Sequence, residues 1–116
     1  MTTPTTITID NTKYVREDSI PAAVSYPNNA QHPFVVGNNY LIRTVTMTLT
    51  GKVLGSIGQF LILSDSAWIA DTGRFNEAIK SGKLNEVEPT IGNVFVGLST
   101  IIDAYAWIHP LPRDVK

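Results

Sequence analysis

At 116 residues, 43% hydrophobic and 16% charged, the chain has the length and composition of one packed domain, excluding a disordered polymer, which pairs low hydrophobicity with high net charge. A formal net charge of −1 supplies no basic field for nucleic acid, and the absence of cysteine excludes disulfides and thiolate metal sites. The Thr-rich start lacks the basic-then-apolar pattern of an export signal, and no apolar run approaches the ~20 residues that span a bilayer, so no membrane association and a cytoplasmic location are expected.

In chain order, Ile7 and Ile9 alternate with threonine, a polar turn follows at Asp10-Asn11-Thr12, and Tyr14 and Val15 complete a small hairpin. Residues 21–38 contain Pro21, Pro27, Pro33, the pair Asn28-Asn29 and Gly37, a composition that cannot hold a central strand. They read either as a connector anchored by Tyr26, Phe34 and Val35 or as an arm that wraps a neighbouring subunit. Residues 40–49 read as one strand with Leu41, Val45, Met47 and Leu49 on one face and Thr44, Thr46 and Thr48 on the other. Arg43 interrupts the apolar face, so either that end of it is open to solvent or to a binding site, or the guanidinium is buried with a partner.

Residues 52–54 and 59–63 flank Gly55-Ser56-Ile57-Gly58, a hairpin turn that uses glycine at positive φ. Residues 67–70 form another short strand, after which Asp71 and Thr72 supply capping oxygens for a helix over about 73–81 that Gly82 ends. Phe75, Ala78 and Ile79 share the face by which so short a helix must be held. Residues 86–88, 94–98 and 101–107 are closing strands, and the tail from His109 to Arg113, with Pro110 and Pro112, lies outside any sheet interior. The whole reads as a single domain over residues 1–116 of α+β type, mainly β: a small barrel-like or sandwich-like antiparallel sheet with one short helix.

Among patterns that carry chemistry, Asp71-Thr72-Gly73 after an apolar strand is the triplet of aspartic proteases, in which two carboxylates from a dimer share a proton. Arg74 stands where that family has a small residue, and helix capping accounts for Asp71 and Thr72 without catalysis. His32 and His109 each precede proline and form no helical metal pair, so neither metal nor cofactor is expected. The groups suited to holding a ligand are Arg43 and Arg74, whose forks match phosphate or carboxylate, with Trp68 and Tyr105 as stacking surfaces. Against this stands the reading of the same aromatics as core and the same arginines as ion-paired surface.

The pattern Ile7-x-Ile9-Asp10-x-x-x-Tyr14-Val15, then Tyr40-Leu41-Ile42-Arg43-Thr44, Gly51, residues 61–63, Trp68, Ala78, Gly82 and Ile101-Ile102-Asp103, resembles a family of short tailed-phage and prophage accessory proteins. These carry a Tyr-Val-x-Val-Arg-Thr strand, a tryptophan before a short Ala-rich helix, and a β-rich C-terminal strand. This chain departs from them at Ala67-Trp68-Ile69-Ala70-Asp71, which replaces a more basic and aromatic run. The resemblance implies an infected or lysogenised bacterial cell as the setting, and binding rather than catalysis. One implied role is a homo-oligomeric binder of a small anionic or nucleotide ligand, acting against host defence from the host cytoplasm. The other is a structural or assembly protein whose strand edges and 21–38 arm contact its own copies or another phage or host protein, in which case it resides in the virion. A dimeric aspartic protease is the enzymatic alternative.

Overall fold

Threonine alternating with isoleucine does form a hairpin in the computed structural model, which describes residues 7–9, 12–14 and 32–116. Strand β1 (Ile7–Ile9) pairs antiparallel with β2 (Thr12–Tyr14), Ile7 opposite Tyr14 and Ile9 opposite Thr12. The hairpin belongs to the first of two compact units, Met1–Pro33, and everything below belongs to the second, Phe34–Lys116. Most of the proline-rich stretch, Tyr26 included, lies outside the described residues. Of its remaining anchors, Phe34 meets Tyr40 edge-on at 5.0 Å and packs on the core, whereas Val35 is exposed and donates its backbone N–H to the Tyr40 hydroxyl.

The second unit is an antiparallel sheet of β3 (Asn39–Thr44), β4 (Thr48–Ile57), β5 (Phe60–Asp71), β6 (Glu86–Pro89), β7 (Val94–Gly97) and β8 (Ile101–Ala106), with one helix, α1 (Phe75–Ser81). Strand order is β6-β5-β4-β3-β8, with β7 added on β5, and the sheet stays open rather than closing into a barrel. This is the mainly β, single-helix class expected from the sequence.

The expected strand over 40–49 is instead two strands joined by a tight turn. The Thr44 hydroxyl accepts from the backbone N–H groups of Thr46 and Met47 and donates to the Met47 carbonyl, while the Thr44 N–H bonds the same carbonyl at 2.8 Å. A threonine side chain that substitutes for backbone partners offers the chain a reversal without glycine or proline. Val45 and Met47 are consequently exposed, and Leu41 and Leu49 sit in different cores.

Residues 59–63 and 67–70, expected as separate strands, are two halves of the twelve-residue β5. Asp65, at φ 50°, lets the strand bend without ending: Lys52 pairs with Ser64 and Thr50 with Ala67, so Gly51 faces two residues of β5. Such bulges raise the local twist. A Cβ on Gly51 would lie 3.1 Å from that of Leu63, which is why a residue without a side chain occupies this crossing. The β4–β5 hairpin forms, but not around the expected turn: Gly55, Ser56 and Ile57 are paired residues of β4, and the reversal comes two residues later, at Gly58-Gln59 between the paired Ile57 and Phe60. Gly58 at φ 58° occupies the first central position, where a type II′ turn takes glycine.

Successive strand residues point to opposite faces, and here both faces are buried: Leu41 and Ile42 are each 0% exposed and lie in different clusters. The first core packs Leu41, Ala67, Ile69 and Val87 of the sheet against Ala78, Leu84 and Trp107, with Phe75 and Ile79 of α1 closing over them. The second core, Ile42, Leu49, Val53, Leu61, Leu63 and Val96, draws its buried residues from β3, β4, β5 and β7.

Helix α1 begins later than expected, at Phe75, with Arg74 at the N-cap and no side-chain cap; Asp71 and Thr72 are not its caps. Gly73, at φ 73°, inserts a turn between them and the helix, and Asp71 Oδ1 accepts the Gly73 N–H at 2.8 Å instead. Gly82 ends the helix as expected, its N–H bonding the Ala78 carbonyl from a left-handed conformation. The proline-containing tail is stitched to the sheet margin: Arg113 donates to the carbonyls of Ser66 and Thr90, and Lys116 exchanges two backbone bonds with Val87 on the outer side of β6. No helix among the described residues is long and apolar enough to cross a membrane.

Candidate functional site

Two surfaces concentrate the chemistry of the second unit. The first surrounds Arg43. The β3–β8 register sets Arg43 directly opposite Asp103, and the guanidinium engages the carboxylate with both prongs, Nε to Oδ1 at 2.8 Å and Nη2 to Oδ2 at 2.6 Å. Tyr105, two residues along the same face of β8, donates its hydroxyl to Asp103 Oδ2 at 3.2 Å. The guanidinium carbon lies 4.6 Å from the ring centre of Phe75 and 5.9 Å from that of Tyr105, and those two rings meet edge-on at 5.0 Å. A planar cation between an aromatic face and a bidentate carboxylate is held by dispersion, the ring quadrupole and charge together.

Arg43 has the carboxylate partner that one reading expected but not the burial that went with it: the side chain keeps 42% of its surface in solvent. The hydrogen bonds from Arg43 hold the Asp103 carboxyl below its ordinary value, and the same pairing raises the Arg43 guanidinium further above its own. A carboxylate with a lowered pKa adds stability that is complete above the ordinary carboxylate range and is lost as pH falls through the lowered value. The difference in melting temperature between wild type and Asp103→Asn, measured from pH 7 downward, should therefore stay constant to about pH 4 and shrink below it. A gap that does not change with acid would show that the pair contributes no charge-dependent stability.

The other expected ligand groups are only partly brought together. Tyr105 belongs to the Arg43 cluster, and Arg74 is exposed one residue before Phe75. Trp68 does not join them. It is paired with Leu49 and Glu88 on the face of β5 opposite Ala67 and Ile69, and is 47% exposed. In the Asp71-Thr72-Gly73 triplet the carboxylate closes a local turn and meets Asn85 Nδ2 at 3.4 Å.

The second surface escaped sequence reasoning. Along β5, Leu61 and Leu63 point into the second core while Phe60 and Ile62 point out; on β7, Val96 points in and Phe95 out. Ile62 is paired with Phe95, and Ile57 with Phe60, so the four outward side chains lie on one face around a shallow depression of about 210 Å³. Ile57 is 71% exposed, Phe60 52% and Phe95 66%. The signal in the sequence is the unbroken apolar runs at 60–63 and 94–96, which mark strands covered on both faces rather than one.

No protein-family model, curated protein or solved structure matches the chain.

Proposed function

We propose that this chain is a non-enzymatic interaction protein whose role is assembly, of the kind expected for a phage-particle component, and that the outward face of β4, β5 and β7 is its contact surface. The observation that carries this reading is the clustering of Ile57, Phe60, Ile62 and Phe95 on that face. Apolar residues scattered singly over a surface need no explanation, but a contiguous patch of aromatic and aliphatic side chains marks a binding surface. A few well-packed side chains, often aromatic, carry most of the energy at such contacts. The feature that spoke for a small-molecule binder, a charged residue interrupting an apolar strand, is accounted for within the fold by Asp103, Tyr105 and Phe75.

Particles purified from the host should contain the chain at a fixed ratio to the major shell protein, and incorporation of Phe95→Glu should fall at least about tenfold, the loss typical of a central aromatic contact. A chain abundant in infected cells and missing from particles would sink the assembly role.

A second reading, capture of an anionic or nucleotide ligand, is favoured by one observation: Arg43 Nη1 has no hydrogen bond among the described residues, and exposed Arg74 directly precedes Phe75, the ring under the Arg43 guanidinium. Native mass spectrometry separates the two. A nucleotide-sized adduct that disappears in Arg74→Ala would favour capture, and an adduct-free spectrum favours assembly.

A further inference from the structure

We infer that the occupant of the β4–β5–β7 face is a second copy of this chain, joined through the same face around a two-fold axis; this rests on the reading of that face as a protein-binding surface. The argument is one of charge. No charged residue occurs from Val53 to Ser64, or from Pro89 to Ile102, in a chain that is 16% charged overall. These two segments supply all four outward apolar side chains and the Gly58-Gln59 tip beside them. A partner selected by charge would find nothing complementary here, whereas a two-fold contact opposes like surfaces and is penalised wherever those surfaces carry charge. This face satisfies that requirement.

The other margins of the sheet differ. Strand β6 carries Glu86, Glu88 and Pro89 and is bonded along its outer side by Lys116, and β8 carries Asp103. Charged residues, proline and covering segments are the means by which sheet edges avoid self-association. Strand β7, Val-Phe-Val-Gly, carries none of them, and among the described residues it pairs only with β5. Among the described residues, the protection against self-contact is missing where the apolar face is exposed.

The largest apolar patch on an ordinary monomer covers roughly 300–600 Å², against about 800 Å² per partner in a standard stable complex, so a patch of four side chains supports a reversible dimer. Sedimentation velocity on the full chain, from about 5 to about 500 µM, should show a mass that rises with concentration and levels off at twice the 12.7 kDa of one chain. Phe95→Glu and Ile57→Lys should each weaken dimerisation at least about tenfold with unchanged circular dichroism and melting temperature, because both side chains are largely in solvent. Ile102→Glu, on β8 and also exposed, should leave the dimer intact.

A monomer at every concentration overturns the inference, as does a dimer that survives both face variants or one that Ile102→Glu dissolves. If the chain is monomeric yet Phe95→Glu still abolishes incorporation into particles, the assembly role stands with a different protein as occupant. If it is monomeric and absent from particles, both readings fall.

Discussion

Replacing Leu63 by alanine should remove about 3 kcal/mol of stability, within the 2–5 kcal/mol range for fully buried leucines, and lower the melting temperature by on the order of 10 °C. Leu63 is 0% exposed and sits midway along β5, paired with Val53 of β4 on one side and Val94 of β7 on the other. Its side chain points into the core that the strands wrap around. The Cβ of Leu63 lies against the space left by Gly51, so the crossing of β4 and β5 cannot close further to fill the cavity. The loss is a large share of the ~5–15 kcal/mol that holds a domain folded. Phe60→Ala, three residues earlier on the same strand, removes a larger side chain from the outward face and should cost well under 1 kcal/mol. Chemical denaturation of both variants checks this; comparable losses would mean that the two faces of β5 are not differentiated as described.

The second large effect is expected at the end of α1. Gly82 adopts φ 81°, a conformation that costs an L-residue roughly 1–2 kcal/mol. A Cβ there would also stand 2.7 Å from Cγ and 3.0 Å from Cβ of His109. That ring has little freedom to move, since its Nε2 donates to the Ile79 carbonyl at 2.8 Å and its edge meets Trp107 at 4.9 Å between ring centres. Gly82→Ala should therefore lose about 2–4 kcal/mol, the backbone cost plus displacement of His109 from Trp107 and the helix end. Gly92 provides the comparison. At φ 77° it has the same backbone demand with nothing within 4 Å of an added Cβ, so Gly92→Ala should lose only the backbone share. In a double-mutant cycle with His109→Ala, the Gly82→Ala loss should shrink by the part due to contact. Equal losses at Gly82 and Gly92 would show that His109 does not press on the helix end.

These two positions also bear on the two candidate surfaces. At Gly51 and Leu63 strands β4 and β5 approach closely, and along β5 and β7 Leu61, Leu63 and Val96 fill the second core while Phe60, Ile62 and Phe95 alternate to the outward face. The α1 end at Gly82 anchors the other layer, from which Phe75 reaches Arg43.

What the sequence determined by itself is the set of features that depend on near neighbours. The 7–14 hairpin follows from period-two alternation around a polar turn, the existence of the β4–β5 hairpin, though not the position of its turn, from apolar runs around a glycine-containing segment, and the end of α1 from Gly82, because each involves contacts within a few residues. The strands over 86–106 were legible for the same reason. Tertiary structure alone decided the rest. The turn at 45–47 rests on a threonine hydroxyl whose sequence pattern is also that of a strand, and the union of the two halves of β5 rests on Asp65 accepting a left-handed conformation opposite Gly51. The helix starts at Phe75 because Asp71 spends its carboxylate on Gly73 and Asn85. Arg43 meets Asp103 across sixty residues, a pairing set by strand register, which no local pattern encodes. Which apolar residues remain in water is likewise decided by what packs on each face: Phe60 and Leu61 are hydrophobic neighbours that point to opposite faces of β5, and only the core assembled on one of them buries Leu61 and leaves Phe60 exposed.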